Sequence, residues 1–161
     1  MNSKRIVKIS ILASVYALLS IVLPISSGPV QLRVAESICM LPLLFFDAVP
    51  AIFIGCIITN IFTGCALLDI ILGSLISLVS ALMTYLVGRI IKNTVAKFMV
   101  GGLFPVLLNA LLLPIIWLIY GAGQYAYIIQ VGIIAIGQAL AVYGVGVPLY
   151  YVFKKYELDK K

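Results

Sequence analysis

Arg33-Val34-Ala35-Glu36-Ser37-Ile38-Cys39-Met40-Leu41-Pro42-Leu43-Leu44-Phe45-Phe46-Asp47 is the stretch that decides how many helices this chain makes. Uncharged runs on either side read readily as five helices: Ile9 to Leu32, Ala48 to Leu68, Ile70 to Gly88, and two from Phe98 to Phe153 joined near Tyr120-Gly121-Ala122-Gly123-Gln124. The stretch itself is the doubtful sixth. Only ten residues separate Glu36 from Asp47, about 15 Å as an α-helix.

Composition assigns the class. The 161 residues are 64% hydrophobic and 10% charged, with mean hydropathy +1.24, whereas ordinary soluble domains are about one-quarter charged. The chain therefore reads as a single integral membrane domain with no sizeable soluble part. Lys4, Arg5 and Lys8 precede an uncharged run too long for a signal peptide and followed by no A-x-A-like site, so the first segment is kept as a helix. No Gly-x-x-x-x-Gly-Lys-Ser/Thr run is present to cradle a nucleotide, so any energy source lies outside the chain. Cys39, Cys56 and Cys65 form no C-x-x-C pair and read as packing residues. His is absent, which removes the commonest acid–base group and metal ligand; no metal or cofactor is expected.

Charge bias settles the doubtful segment. With six crossings and the N-terminus inside, Lys4, Arg5, Lys8, Arg89, Lys92, Lys97, Lys154, Lys155, Lys160 and Lys161 all fall on the cytoplasmic side, and only Arg33 does not. Five crossings would split these clusters between the faces. The net charge of +6 thus reflects topology and not nucleic-acid binding. The expected fold is all-α, a polytopic membrane protein of six transmembrane helices, with both termini cytoplasmic. Its helices run over about 6–23, 31–46, 48–64, 69–90, 98–120 and 125–154.

Six crossings carry a chemical consequence. The second helix must begin near Gln31, so Arg33 and Glu36 lie at membrane depth at its outer end, on one helical face. Such residues face a bundle interior, pair, or meet a ligand. Other polar residues converge on the outer half: Asn60 and Thr63, Asp69, Asn109 between Pro105 and Pro114, and Trp117, Tyr120, Tyr125 and Tyr127. Tyr127, Gln130, Ile134 and Gln138 follow one face of the last helix. Carboxylate and amide acceptors beside aromatic planes suit a flat heterocycle with several N–H donors.

Each residue has a plainer reading beside this one. Arg33 and Glu36 can neutralise each other, and Asp69 can cap the fourth helix. Asn109 and Gln138 can bond between helices, and the aromatic cluster can be an interfacial belt. Small-residue stripes, Ser10-Ala13-Ala17-Ser20 and Gly73-Ser77-Ala81-Thr84, offer close-contact grooves on the first and fourth helices.

The stretch Gly28-Pro29-Val30-Gln31-Leu32-Arg33-Val34-Ala35-Glu36, with Asn60-Ile61-Phe62-Thr63-Gly64, Asp69, Asn109-Ala110 and the Ala13-x-x-x-Ala17 pattern, resembles the substrate-binding S components of energy-coupling-factor (ECF) vitamin importers. More narrowly it resembles the QueT family, whose members are assigned to queuosine precursors. Two positions depart from that pattern: Ala35 stands where the family has Ser, and Gln138 where relatives carry Glu.

The resemblance implies import of a 7-deazaguanine such as preQ1, preQ0 or queuine across the plasma membrane. A scaffold membrane subunit and two cytoplasmic ATPases would supply the power, with Ala13 and Ala17 facing the scaffold. It also implies a substrate site drawn from Gln31, Arg33, Glu36, Asn60, Asp69, Asn109, Trp117, Gln130 and Gln138. In that site Glu36 accepts from the ring N–H and exocyclic amine, and Asp69 meets a cationic aminomethyl group. The alternatives are an S component for another flat vitamin, riboflavin or thiamine, and a membrane-embedded enzyme. The enzyme needs a nucleophile–base pair or a metal site, which these residues do not spell out.

Overall fold

The computed structural model describes residues 3–22, 34–121 and 125–156, and among them every regular element is helical. Six segments follow in order: α1 (Ser3–Val22), α2 (Val34–Leu43), α3 (Ala48–Phe62), α4 (Asp69–Ile90), α5 (Thr94–Ile119) and α6 (Tyr127–Lys155). Four of them, α1, α4, α5 and α6, are long and apolar enough to cross a membrane, while α2 and α3 are shorter apolar helices. Leu18, Ile90 and Ile128 are among many large aliphatic side chains on the outside. An apolar exterior of this extent marks a protein solvated by lipid.

The doubtful stretch is α2, and it is wound as a 3-10 helix over all ten of its residues. Runs of that length are uncommon. A 3-10 helix rises about 2.0 Å per residue, so ten residues reach about 20 Å where an α-helix would reach about 15 Å. The winding therefore recovers part of the length that the sequence lacks. All residues from Ala35 to Leu43 are buried, and α2 touches each of the other five helices.

That central position requires close backbone approach. A Cβ on Gly88 of α4 would lie 2.6 Å from the Leu43 carbonyl oxygen and 2.8 Å from Leu43 Cα. One on Gly146 of α6 would lie 2.8 Å from the Ser37 carbonyl oxygen. On the other side, α1 packs on α3, where Gly55 makes room for the Tyr16 ring.

Two further departures from α geometry occur. Helix α4 opens with a π-wound turn, Asp69–Gly73, and α6 contains a π-wound segment, Leu140–Gly146, that packs against α2. From that segment the Tyr143 hydroxyl donates to the Met99 carbonyl at 2.9 Å. In α5, Pro105 lacks the N–H that would serve the Gly101 carbonyl. The Thr84 hydroxyl takes its place at 2.9 Å.

Helix α5 begins at Thr94, four residues before the expected 98, because Asn93 caps it. The Asn93 side-chain oxygen accepts from the backbone N–H groups of Val95 at 3.0 Å and Ala96 at 3.1 Å, which satisfies two otherwise free donors.

One end of the bundle gathers the start of α1, the α2–α3 turn and the end of α6. There Arg5 bonds Asp47 Oδ1 through Nη2 at 2.6 Å and Nε at 2.9 Å. Lys8 Nζ lies 3.6 Å from the Phe45 ring centroid, and Phe45 packs on Phe153.

A methyl group added at Gly88 must displace the α2 backbone. Gly88→Ala is expected to destabilise by about 1–3 kcal/mol, whereas Gly132→Ala, which meets nothing within 4 Å, is not. Thermal unfolding of the two variants in detergent micelles tests this, and equal midpoints would contradict the packing described.

Candidate functional site

Glu36 is the centre of the buried polar chemistry. Its side chain, near the start of α2, is 2% exposed. Oε1 accepts from the Tyr16 hydroxyl of α1 at 2.8 Å, and Oε2 accepts from the Cys39 thiol at 3.1 Å. The Cys39 contact follows from the winding, because side chains at i and i+3 eclipse in a 3-10 helix. Tyr16 is 1% exposed, and its Cβ and Cδ1 each lie 2.9 Å from where a Gly55 Cβ would be.

From there a polar seam leads along α3 to the far end of the bundle. Cys56 belongs to the same buried cluster as Tyr16 and Cys39. Its sulfur accepts from Ser77 Oγ at 3.5 Å and from Asn60 Nδ2 at 3.7 Å. Asn60 Nδ2 also donates to the Asp69 backbone carbonyl at 3.1 Å. The Asp69 carboxylate then accepts from Trp117 Nε1 at 3.0 Å on Oδ1 and from the Tyr120 hydroxyl on Oδ2. Burial, then the bond to Asp69, pushes the Tyr120 phenol above its ordinary range, so it remains a donor.

Asp69 therefore does not cap α4, and no side-chain cap bond forms there. Both of its oxygens clamp the first turn of α4 to the end of α5. Tyr127 sends its hydroxyl to the Leu111 carbonyl at 3.1 Å. With the Tyr143–Met99 bond, this sets α6 antiparallel to α5 and brings Gln130 to about the level of Asn109. Asn109, Gln130, Ile134 and Gln138 are all buried. The side-chain oxygens of Gln130 and Gln138 have no hydrogen-bond partner among the described residues.

The expected site residues thus fall into two groups. Glu36, Asn60, Asp69 and Trp117 lie along the seam, while Asn109 is buried on α5 and Gln130 and Gln138 are buried on α6. Gln31 and Arg33 lie outside the described residues, and with them the expected Arg33–Glu36 pair. A groove of about 340 Å³ between α4 and α5, lined by residues such as Leu72, Ile76, Leu112 and Ile116, is aliphatic and separate from these polar groups.

The stripe on α1 lies where α1 packs on α3, and Ala13 and Ala17 are 2% and 5% exposed. Small side chains let α3 approach closely, and α3 then covers them.

The family model described as QueT transporter matches residues 6–155, nearly the whole chain. The chain belongs to the QueT transporter family. No curated protein matches it, and no solved structure does. Membership makes this a membrane protein of small-molecule transport, and a role other than an enzyme's is consistent with it.

In this QueT chain Tyr16 and Cys39 had gone unrecognised as partners of Glu36. Cys39 was legible as the i+3 neighbour of Glu36, had the winding been known. Tyr16 carried no signal beyond being the one hydroxyl-bearing ring in an apolar helix.

Removing the Asp69 carboxylate strands an indole N–H and a phenol. Asp69→Ala is expected to destabilise by about 2 kcal/mol, the order of a charged hydrogen bond. Unfolding followed by the fluorescence of Trp117, the single tryptophan, measures it. A wild-type midpoint would show that the clamp contributes nothing.

Proposed function

We propose that the chain is the substrate-binding S component of an ATP-driven ECF importer, and that its ligand is a queuosine precursor, a 7-deazaguanine such as preQ1, preQ0 or queuine. The observation that carries the reading is the QueT match over residues 6–155. A buried carboxylate on α2 with acceptor capacity to spare supports it chemically. An ionised carboxylate offers about four acceptor directions, and Tyr16 and Cys39 take two.

In this reading Glu36 accepts the ring N–H and exocyclic amine of the base, since a carboxylate matches two parallel donors. Gln31 and Arg33 lie next to it in sequence and contribute further polar contacts. Asn109, Gln130 and Gln138 supply amide groups; the unpaired oxygens of the two glutamines favour a ligand rich in N–H donors. Asn60, Asp69 and Trp117 form the rim. With both Asp69 oxygens engaged by the indole and the phenol, the rim holds the site's shape, and a cationic aminomethyl group meets Asp69 only beside those bonds.

The chain crosses the plasma membrane six times with both termini in the cytoplasm. The end that carries Arg5, Lys8 and Lys154 faces inward, in keeping with basic residues collecting on the cytoplasmic side. A scaffold membrane subunit and two ATPases supply the energy. The α1 face that carries Ala13 and Ala17, both buried in the chain by itself, is the one this reading turns toward the scaffold.

A thermal-shift panel of 7-deazaguanines, riboflavin and thiamine on the purified chain tests the ligand class. The true ligand at 100 times its Kd adds about 2.7 kcal/mol. Stabilisation by riboflavin or thiamine alone would overturn the assignment. Glu36→Ala is expected to weaken deazaguanine binding tenfold or more, about 1.4 kcal/mol, and unchanged affinity in calorimetry would remove Glu36 from the site.

A further inference from the structure

The carboxylate of Glu36 is gripped on both sides. Tyr16 donates to Oε1 at 2.8 Å and Cys39 to Oε2 at 3.1 Å, so each oxygen keeps one of its acceptor directions free of these two donors. Neither donor has room to move. The Tyr16 ring is pinned against α3, where only a glycine fits beneath it. Cys39 is buried on the same 3-10 helix as Glu36, one eclipsed position along. A carboxylate held at both oxygens cannot rotate about its terminal bond, a torsion that is otherwise broad. Its remaining acceptor directions, one on each oxygen, are then fixed in place, and two adjacent N–H donors on a planar ring can meet one oxygen each.

We propose that Tyr16 and Cys39 are positioning residues that fix the Glu36 carboxylate and thereby set a preference for ring edges bearing two adjacent N–H donors over edges bearing one. The inference rests on the assignment of Glu36 as the ligand's acceptor. Tyr16 and Cys39 do not touch the ligand. Their effect is on discrimination, because a freely rotating carboxylate still meets a single donor well but meets two together less often.

Calorimetric titration of the full chain in nanodiscs with 7-deazaguanine and with 7-deazahypoxanthine, which lacks the exocyclic amine, tests this. Wild type should prefer 7-deazaguanine. Tyr16→Phe keeps the ring and removes only the hydroxyl. It should weaken 7-deazaguanine by about tenfold and 7-deazahypoxanthine by much less, so that the ratio of affinities falls. Cys39→Ser, which preserves a donor, should keep the ratio, and Cys39→Ala should lower it. The Cys39 pair carries the test if the Tyr16 variant fails to fold.

Equal weakening of both ligands in Tyr16→Phe and Cys39→Ala, or an unchanged ratio in both, overturns the inference. Glu36→Gln separates this from the underlying assignment. If Glu36→Gln loses the preference while Tyr16→Phe and Cys39→Ala retain it, the positioning role alone is wrong. If Glu36→Gln binds both ligands as wild type does, the acceptor assignment falls and the inference falls with it.

Discussion

The structure depends on placing one short segment, Val34–Leu43, where every other helix can touch it. In an apolar bundle a backbone must satisfy its own N–H and C=O groups, so this segment must be helical. It must also be narrow, because all residues from Ala35 to Leu43 are buried and two neighbours approach to glycine distance at Gly88 and Gly146. The 3-10 winding meets these demands and a third. It stretches ten residues to about 20 Å, tightens the thread, and stacks Cys39 on Glu36. The chemistry of the site is therefore a consequence of how the chain solves a packing and length problem.

Around that axis the bundle pairs most of its buried polar groups and leaves a few without partners. Thr84 serves the carbonyl freed by Pro105, and Thr59 and Ser77 bond back to carbonyls of their own helices. Asn60 joins α3 to the first turn of α4. Among the described residues the side-chain oxygens of Gln130 and Gln138, like the hydroxyls of Ser74 and Ser80, have no hydrogen-bond partner. Each glutamine leaves an acceptor unpaired at a cost of about 1–3 kcal/mol. The two glutamines lie eight positions apart on one face of α6, so a solute rich in N–H donors lying along that face could pair both.

Much of the fold was legible because lipid imposes simple rules. Hydropathy marked five of the helices. The sidedness of Lys and Arg argued for a sixth segment where length argued against it, and the structure supplies that segment in a winding that hydropathy cannot reveal. The stripe Tyr127-Gln130-Ile134-Gln138 was readable as one face because α-helical spacing alone determines it, and Gln130, Ile134 and Gln138 are buried. What escaped were contacts between distant positions. Small residues at spacing four announce a close helix neighbour, but not whether it belongs to the same chain; for Ala13 and Ala17 it is α3. Asp69 read equally as a cap or as a ligand contact. Its actual partners, Trp117 and Tyr120, are 48 and 51 residues away, and no local pattern encodes them.

The two acidic side chains of the seam show how one residue type can serve fold and function differently. Asp69 has a donor on each oxygen, and both donors are aromatic rings rooted at the end of α5. Because these rings belong to the neighbouring helix, the bonds they make hold two helices together at the rim. Glu36 also has a donor on each oxygen, but one of them, Cys39, comes from its own helix, so that bond orients the carboxylate and ties nothing else to it. Among the described residues Tyr16 alone links Glu36 to another helix. A buried carboxylate anchored chiefly for orientation is suited to reading a ligand, and one anchored to two rings of a neighbour is suited to holding two helices together. The difference follows from where the donors are rooted: the bonds to Glu36 fix one side chain, and those to Asp69 join α4 to α5.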